Sequence, residues 1–558
     1  MKDSTSVAPW ILFGALALPL LALSSPLLEV DDARYAEVPR AMAASGDWVL
    51  PSLNAMPYVE KPPLWYWAAA ASEKIFGPSE ASARLPLMLL ALLGALGVWW
   101  LGSWLYDAGT GRAAAAATAS SALWIFLSHD MTLDMPVSVF LLWTTAFALR
   151  AMLRPEDAKW AAPAAWAAAA LAFLSKGLIA LLLPGLWAAA LALLLPELRR
   201  GARRLISPLG LLIFLAACSP WFILMQRRRP DFLHTFFIEQ HFQRYLTPKY
   251  NRGAPWWFYF AVLPAGLLPW SVPALAGLAK TARRPRMDVR AAALAAWVLG
   301  VAAFFSSSSS KLATYILPAV PHACLLAAVA LKEDLPSWAK TLQRALGGIL
   351  LLGAILAAAA FALGLLPHKA WPPVGLSSPD AKILSVLIVL LPACLGAAML
   401  GSLSSKQSTS ILAGGGTLAG LCLFLGLKTA APILSAKEAA LAVRAEARAE
   451  DQLWTYGTYL HGLPFYSGRL VDKLVYFVGE FHYDKRDPAF AGRFGDDDDI
   501  RALPRAGGRT FVILRSFERP HFIETISGKE KSISSWREFG RWSLAEVRAG
   551  GISPKMTK

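Results

Sequence analysis

The sequence predicts an α-helical polytopic membrane protein carrying a soluble α/β domain at its carboxyl end. Three observations lead there. Hydrophobic residues make up 56% of the 558 positions, and they fall in blocks of about 20, the helix length that crosses a bilayer. Basic residues outnumber acidic ones by 54 to 38, a net charge of +16. Much of that excess lies in short loops between apolar blocks, such as 199–204 and 280–286, where it is a topology signal and not the footprint of a nucleic-acid partner. Beyond Ala431 the composition changes and no spanning segment follows.

In chain order, the first apolar run, Val7 to Leu28, could be a signal-peptide core ending near Ala22-Leu23-Ser24, but the many later spans favour a retained first helix. Further spans are expected at 82–105, 113–128, 135–152, 160–174, 178–195, 206–225, 256–278, 291–305, 313–331, 345–366, 382–402 and 410–430, about 13 in all. The domain boundaries are 1–430 for the membrane part, with an external loop at 29–81, and 431–558 for the soluble part. Loops near Arg112, 150–159, 197–204, 280–290 and 332–344 are basic. They alternate with loops holding Asp31, Asp134, Lys176, His241 and Lys311. The basic set is cytoplasmic, so the second set and the soluble domain face outward. The run Arg227-Arg228-Arg229 breaks this pattern: either the topology differs there or these arginines meet phosphates.

Within the external loop, residues 28–67 read LLEVDDARYAEVPRAMAASGDWVLPSLNAMPYVEKPPLWYW. Asp31-Asp32 follow directly on an apolar run, where a membrane helix ends and a polar layer begins. Tyr35 to Ala44 has helical apolar spacing beside charges, which predicts a helix lying in the interface. Glu60-Lys61 precede Pro62-Pro63, a pair that forbids helix at that point. In the soluble part a helix is expected over 436–450, with strands at Leu453–Tyr456 and Thr510–Leu514. Asp496 to Asp499 lack the spacing of a calcium loop and read as a solvated acidic loop. Cys218, Cys324, Cys394 and Cys422 lie in apolar runs without CxxC spacing, which points to core packing and not to disulfides or zinc.

The candidate chemistry sits at outer helix edges: Asp31 and Asp32 with Arg34 and Glu37, then Glu60-Lys61, Asp134, Lys176, His241, Lys311 and Tyr315. A lone lysine between two spans is costly unless it reaches the interface or binds something. Singly, each of these residues is more often an interfacial anchor. Together, carboxylates and lysines along one edge describe a site for a phosphate with a reacting carbon beside it.

The segments DDARYAE, SGDW and PYVEKPPLWYW resemble the first external loop of the bacterial aminoarabinose transferases that modify lipid A. These belong to the protein-mannosyltransferase-related class of membrane glycosyltransferases with the GT-C fold. TLDMP, FLSKG, FFIEQHFQRY, PWWFYF, SKLATYILP and TYGTYLHGLPFY resemble the same family in the same order. One departure is Asp31-Asp32, where the family commonly has Asp-Glu; the first acid is retained, so fine substrate contacts are affected more than catalysis.

The resemblance implies an inverting transfer of a sugar from a polyprenyl-phosphate donor to lipid A, a glycan or another lipid, at the periplasmic side of the bacterial inner membrane. On it, Asp31 and Asp134 are the expected catalytic carboxylates. Arg34, Lys61 and Tyr315 are expected to hold the phosphate, and Asp32, Glu37, Lys176 and Lys311 to complete substrate binding. Glu60 and His241 could hold a divalent metal ion, and no nucleotide cofactor is expected. A protein O-mannosyltransferase-like enzyme is the alternative within the same chemistry. A secondary transporter is the alternative outside it, disfavoured because its charges would lie mid-membrane in repeated halves.

Overall fold

The computed structural model of the protein describes residues 7–247, 252–283, 285–365, 378–405, 407–482, 484–503, 508–526 and 532–548. Every predicted apolar run is helical in whole or in large part. Among the described residues, eight helices are long and apolar enough to cross a membrane, or up to nine if the bent pair Ile179–Leu194 and Pro196–Arg203 is one span. The expected count of about 13 spans is not confirmed by these helices.

The physical reason is breakage within the runs. The 113–128 run divides into Ala108–Ala119 and Ala122–Leu127, where Ser120 and Ser121 turn their hydroxyls back onto the Ala116 and Thr118 carbonyls and compete with the helical ladder. The 256–278 run divides into Phe258–Gly266 and Ser271–Arg283 around Pro269, which has no N–H to give. The first run is a short helix, Pro9–Ala17, followed by a 3₁₀ turn, Leu18–Ala22. The last residue of the expected 345–366 span lies outside the described residues; the helix there is Ser337–Ala362.

The external loop folds on the membrane helices as a helix, a hairpin and a second helix. Asp31–Ser45 is helical, as its spacing predicts, and ends at Gly46, whose φ of 71° is strained for residues with a Cβ. Strands β1 (Ser52–Leu53) and β2 (Met56–Pro57) pair antiparallel through a turn at Asn54 and Ala55. After Pro62-Pro63 the next helix starts at Leu64 and runs to Phe76. Trp65 is buried between the two helices and donates its indole N–H to the Tyr35 carbonyl at 2.9 Å.

The soluble domain is a six-stranded sheet of β3 (Gln452–Tyr456), β4 (Lys473–Val475), β5 (Phe494–Gly495), β6 (Arg509–Arg515), β7 (Ile533–Phe539) and β8 (Trp542–Arg548), in the order β5-β4-β3-β6-β8-β7. β3 to β6 are parallel, and β8 joins β6 and β7 antiparallel. Both predicted strands and the predicted helix, here Lys437–Glu446, are present. Asp497 opens a short helix capped by Asp496 instead of lying in a plain loop, and Lys473 pairs with Asp499. The last ten residues of the expected domain, 549–558, lie outside the described residues. All four cysteines are free, and three are buried.

The sheet domain sits on the external loop. Asn54 gives its side-chain N–H to the Val471 carbonyl at 2.9 Å and accepts the Val471 amide at 2.8 Å. Glu29 accepts the amides of His461 and Gly462, each at 2.8 Å. The loop and the soluble domain thus share one side of the molecule, as the charge alternation requires.

Candidate active site

Between the external loop, the membrane helices and the soluble domain lies a cavity of about 880 Å³. Asp31 enters it from the first turn of the Asp31–Ser45 helix, where a carboxylate is favoured by the helix dipole. Its side chain is 48% exposed, and Arg34, one turn on, pairs with it. Arg34 also stands 4.0 Å from Glu480 of the soluble domain. Burial alone would neutralise Glu480, but His461 and Arg34 hold its carboxyl down to about 2. His461 is itself buried between Glu480 and Glu29, which lift its pKa against that burial to about 9.

A second group of charges converges from four separate segments. Lys61 follows the external-loop hairpin, Lys176 ends the Ala158–Lys176 helix, Arg244 follows a π-helix over His234–Gln243, and Tyr315 lies in a 3₁₀ turn. Lys176 pairs with Asp134 and stands 4.4 Å from the Tyr315 ring centre. Arg244 donates to the Tyr315 hydroxyl at 3.3 Å. Lys61 has a weak counter-charge in Glu60 at 3.8 Å. Burial, then Arg244, Lys176 and Arg34, bring its pKa down to about 7. Four cations this close have the chemistry to hold an anion.

His241 donates from Nδ1 to the Phe236 carbonyl at 2.6 Å, while the Leu178 amide donates to Nε2 at 3.3 Å. Nε2 also stands 3.4 Å from the Lys176 carbonyl, and burial lowers the imidazole's pKa. Gly177, at φ +81°, permits this approach, since a Cβ there would collide with the His241 ring.

Residues 60–224 match the family described as dolichyl-phosphate-mannose-protein mannosyltransferase. The undecaprenyl phosphate-α-4-amino-4-deoxy-L-arabinose arabinosyl transferase of Pectobacterium atrosepticum is 30% identical over 505 residues, covering 87% of this chain and 88% of that protein. The chain belongs to this arabinosyl transferase family. A family member from Yersinia enterocolitica is 34% identical over 323 residues, a stretch spanning 56% of this chain and 57% of that relative. The crystal structure of ArnT from Cupriavidus metallidurans bound to undecaprenyl phosphate superposes with a TM-score of 0.84 at 26% identity, covering 99% of this chain and all of that one. The fold is GT-C, and the protein is a multi-pass membrane glycosyltransferase. The transporter alternative falls with that membership.

Against this family background the sequence-predicted residues divide. Asp31, Arg34, Glu60, Lys61, Asp134, Lys176, His241 and Tyr315 all line the one cavity. Asp32, Glu37 and Lys311 are not among its lining residues. Asp32 is buried in a pair with Arg84 and accepts the Leu28 and Met131 amides at 3.0 and 3.2 Å. Glu37 is closed off by a two-pronged pair with Arg40 at 2.6 and 2.7 Å. Lys311 turns to the Ser308 carbonyl at 2.5 Å. In the basic run, Arg228 finds a carboxylate, pairing with Asp47 at 2.6 and 2.7 Å, and Arg229 stands 3.5 Å from Asp231. Among the described residues no group of three or more His, Cys, Asp or Glu is placed to hold a metal, so Glu60 and His241 stand as two donors at most.

Sequence reasoning missed Arg244, Asp130 and Glu480, all lining residues. Arg244 had a signal, one turn past His241 in FFIEQHFQRY. Glu480 had none, because only the docking of the soluble domain carries it to Arg34.

Proposed function

We propose that the protein transfers 4-amino-4-deoxy-L-arabinose from undecaprenyl phosphate to lipid A at the periplasmic face of the bacterial inner membrane. The observation that carries this reading is the division of charge inside one cavity: Asp31 in reach of solvent at one wall, and Arg34, Lys61, Lys176 and Arg244 gathered around it. Breaking the bond between the anomeric carbon and the phosphate leaves negative charge on phosphate oxygens and positive character on the sugar. Cations beside the first and a carboxylate beside the second both lower the barrier. Lys61 and Arg244 hold the donor phosphate, one as a point charge and the other as a planar fork. Tyr315 positions Arg244 and Lys176 together, and Asp134 keeps Lys176 oriented toward the cavity.

Asp31 faces the anomeric carbon. With a phosphate acceptor it orients the nucleophile and stabilises the sugar cation; with a hydroxyl acceptor it also takes the proton. The pentosyl donor is supported by the names of the relatives, and the periplasmic placement by the outward parity of the loops. Glu60 and His241 are the residues that would hold a divalent cation, although His241 Nε2 already accepts the Leu178 amide and would have to give up that bond. Such an ion would supply Lewis-acid stabilisation of phosphate charge. Metal content measured on purified wild type and on Glu60→Gln and His241→Ala proteins tests that assignment, with equal content in all three overturning it.

The test of the function itself is transfer by detergent-purified protein from synthetic undecaprenyl-phosphate aminoarabinose to lipid A, followed by mass spectrometry. Product with the added aminopentose mass is expected. Failure to consume this donor, with consumption of a polyprenyl-linked hexose, overturns the pentosyl reading.

A further inference from the structure

The cavity contains five carboxyl groups, and four have charged partners. Asp31 pairs with Arg34, Asp134 with Lys176, Glu480 with His461, and Glu60 stands near Lys61. The fifth is Asp130, whose backbone amide donates to the Phe126 carbonyl but whose side chain takes part in no hydrogen bond or ion pair among the described residues. It lines the cavity on the short segment between the Ala122–Leu127 and Asp134–Leu153 helices. That segment is rigidly placed, because Asp32 accepts the Met131 amide at 3.2 Å and is itself clamped by Arg84. A carboxyl left without a counter-charge on a fixed wall, while every neighbour has one, is complementary to a cation that arrives from outside.

We propose that Asp130 recognises the charge of the donor sugar, pairing with the ammonium group of an amino sugar whose anomeric carbon faces Asp31. This rests on the function proposed above and adds the residue that sets sugar class. Asp31, Asp130, Lys61 and Arg244 all line the one cavity, so a donor with its phosphate at Lys61 and Arg244 and its anomeric carbon at Asp31 shares that space with Asp130. Burial, and then the charges of Asp32, Asp31 and Asp134 against the partial relief of Arg84, push the Asp130 carboxyl well above the ordinary range. The group is therefore held neutral until an ammonium enters, when it ionises and its proton passes to solvent. No covalent bond changes at Asp130. A neutral sugar supplies no charge to offset that ionisation, so discrimination comes from the same crowding that keeps the acid protonated.

The experiment compares two synthetic donors, undecaprenyl-phosphate 4-amino-4-deoxyarabinose and undecaprenyl-phosphate arabinose, on wild type and Asp130→Asn. The readout is the ratio of kcat/KM for the two donors, which does not depend on the active fraction of a preparation. Asparagine matches the neutral acid in shape. Wild type is expected to prefer the amino donor, and Asp130→Asn to lose about 10- to 100-fold of that preference, the scale of one charge-assisted pair. An unchanged ratio, whether or not both rates fall, overturns the assignment and leaves the function standing. Transfer of neither donor by wild type overturns the function and this assignment with it.

Discussion

At the seam between the external loop and the soluble domain, His461 lies between Glu29 and Glu480 with its side chain 1% exposed, and both acids are nearly as buried. In the adjoining cavity Lys61 is also well buried, yet three further cations crowd it and only Glu60 opposes them. Both cations are withdrawn from solvent, Lys61 less completely, and the charges around them differ. At the seam each charge meets its complement, so a cation is stabilised in its charged form and holds two units of the fold together. Around Lys61 cations outnumber acids, so its amine is pushed toward neutrality until an anion is bound. Satisfied buried charge holds structure, and unsatisfied buried charge binds ligand. Arg34 belongs to both regions, touching Asp31 and Glu480.

The largest expected effect breaks the cavity and spares the seam. Asp31→Asn removes charge without changing shape and is expected to slow transfer by about 10²- to 10⁴-fold. The melting temperature should stay near that of wild type; both are read on the same detergent-purified preparation. Its neighbour gives the mirror image. Asp32→Asn leaves Arg84 buried without its carboxylate and is expected to cost about 3–5 kcal/mol of stability, seen as a lowered Tm.

His461→Gln breaks the seam in the same way, stranding Glu29 and Glu480 face to face, with a loss of about 3–5 kcal/mol. The pH dependence identifies it. A histidine whose pKa is raised in the folded protein contributes fully below its unfolded value near 6.5, and the contribution is lost as pH rises through about 9. Wild type should therefore lose thermal stability between pH 6.5 and above 9, and His461→Gln should show a flatter profile over that window.

Smaller again is the effect of Lys61 on donor binding. Lys61→Ala is expected to weaken binding of the phosphodiester donor by about 1–3 kcal/mol, measured by titration calorimetry. Here the pKa is lowered by the fold instead of raised, and the loss again comes as pH rises. The folded pKa lies near 7, and a bound phosphate favours the charged amine, so affinity is full below pH 7. It falls above that value by up to about tenfold per pH unit. Loss of that slope in Lys61→Ala, with the remaining affinity flat in pH, would confirm that Lys61 is the titrating group.

Local signals in the chain account for much of the site. The break from apolar to acidic at Asp31-Asp32, the Glu60-Lys61 pair ahead of two prolines, and lone lysines between spans are each expensive in or beside a membrane, and expense of that kind is legible residue by residue. The helical runs and the two central strands were legible for the same reason, since hydrophobic periodicity is a property of neighbours in sequence. Breaks inside the runs were not, because Ser120, Ser121 and Pro269 interrupt helices through backbone competition that mean hydropathy does not register.

What the sequence by itself determined, then, is a membrane-embedded helical protein with charges at one edge and the family it resembles. Only the tertiary structure decided how those charges are divided. Asp31 and Asp32 are adjacent and chemically identical, yet successive positions on a helix point about 100° apart, so one faces the cavity and the other faces Arg84. Glu37 is drawn off by Arg40, Lys311 by a carbonyl, and Glu480 arrives from a separate domain more than 400 residues further along the chain. Whether a charge binds substrate or holds the fold depends on which opposite charge the packing brings to it, and that partner is usually remote in sequence.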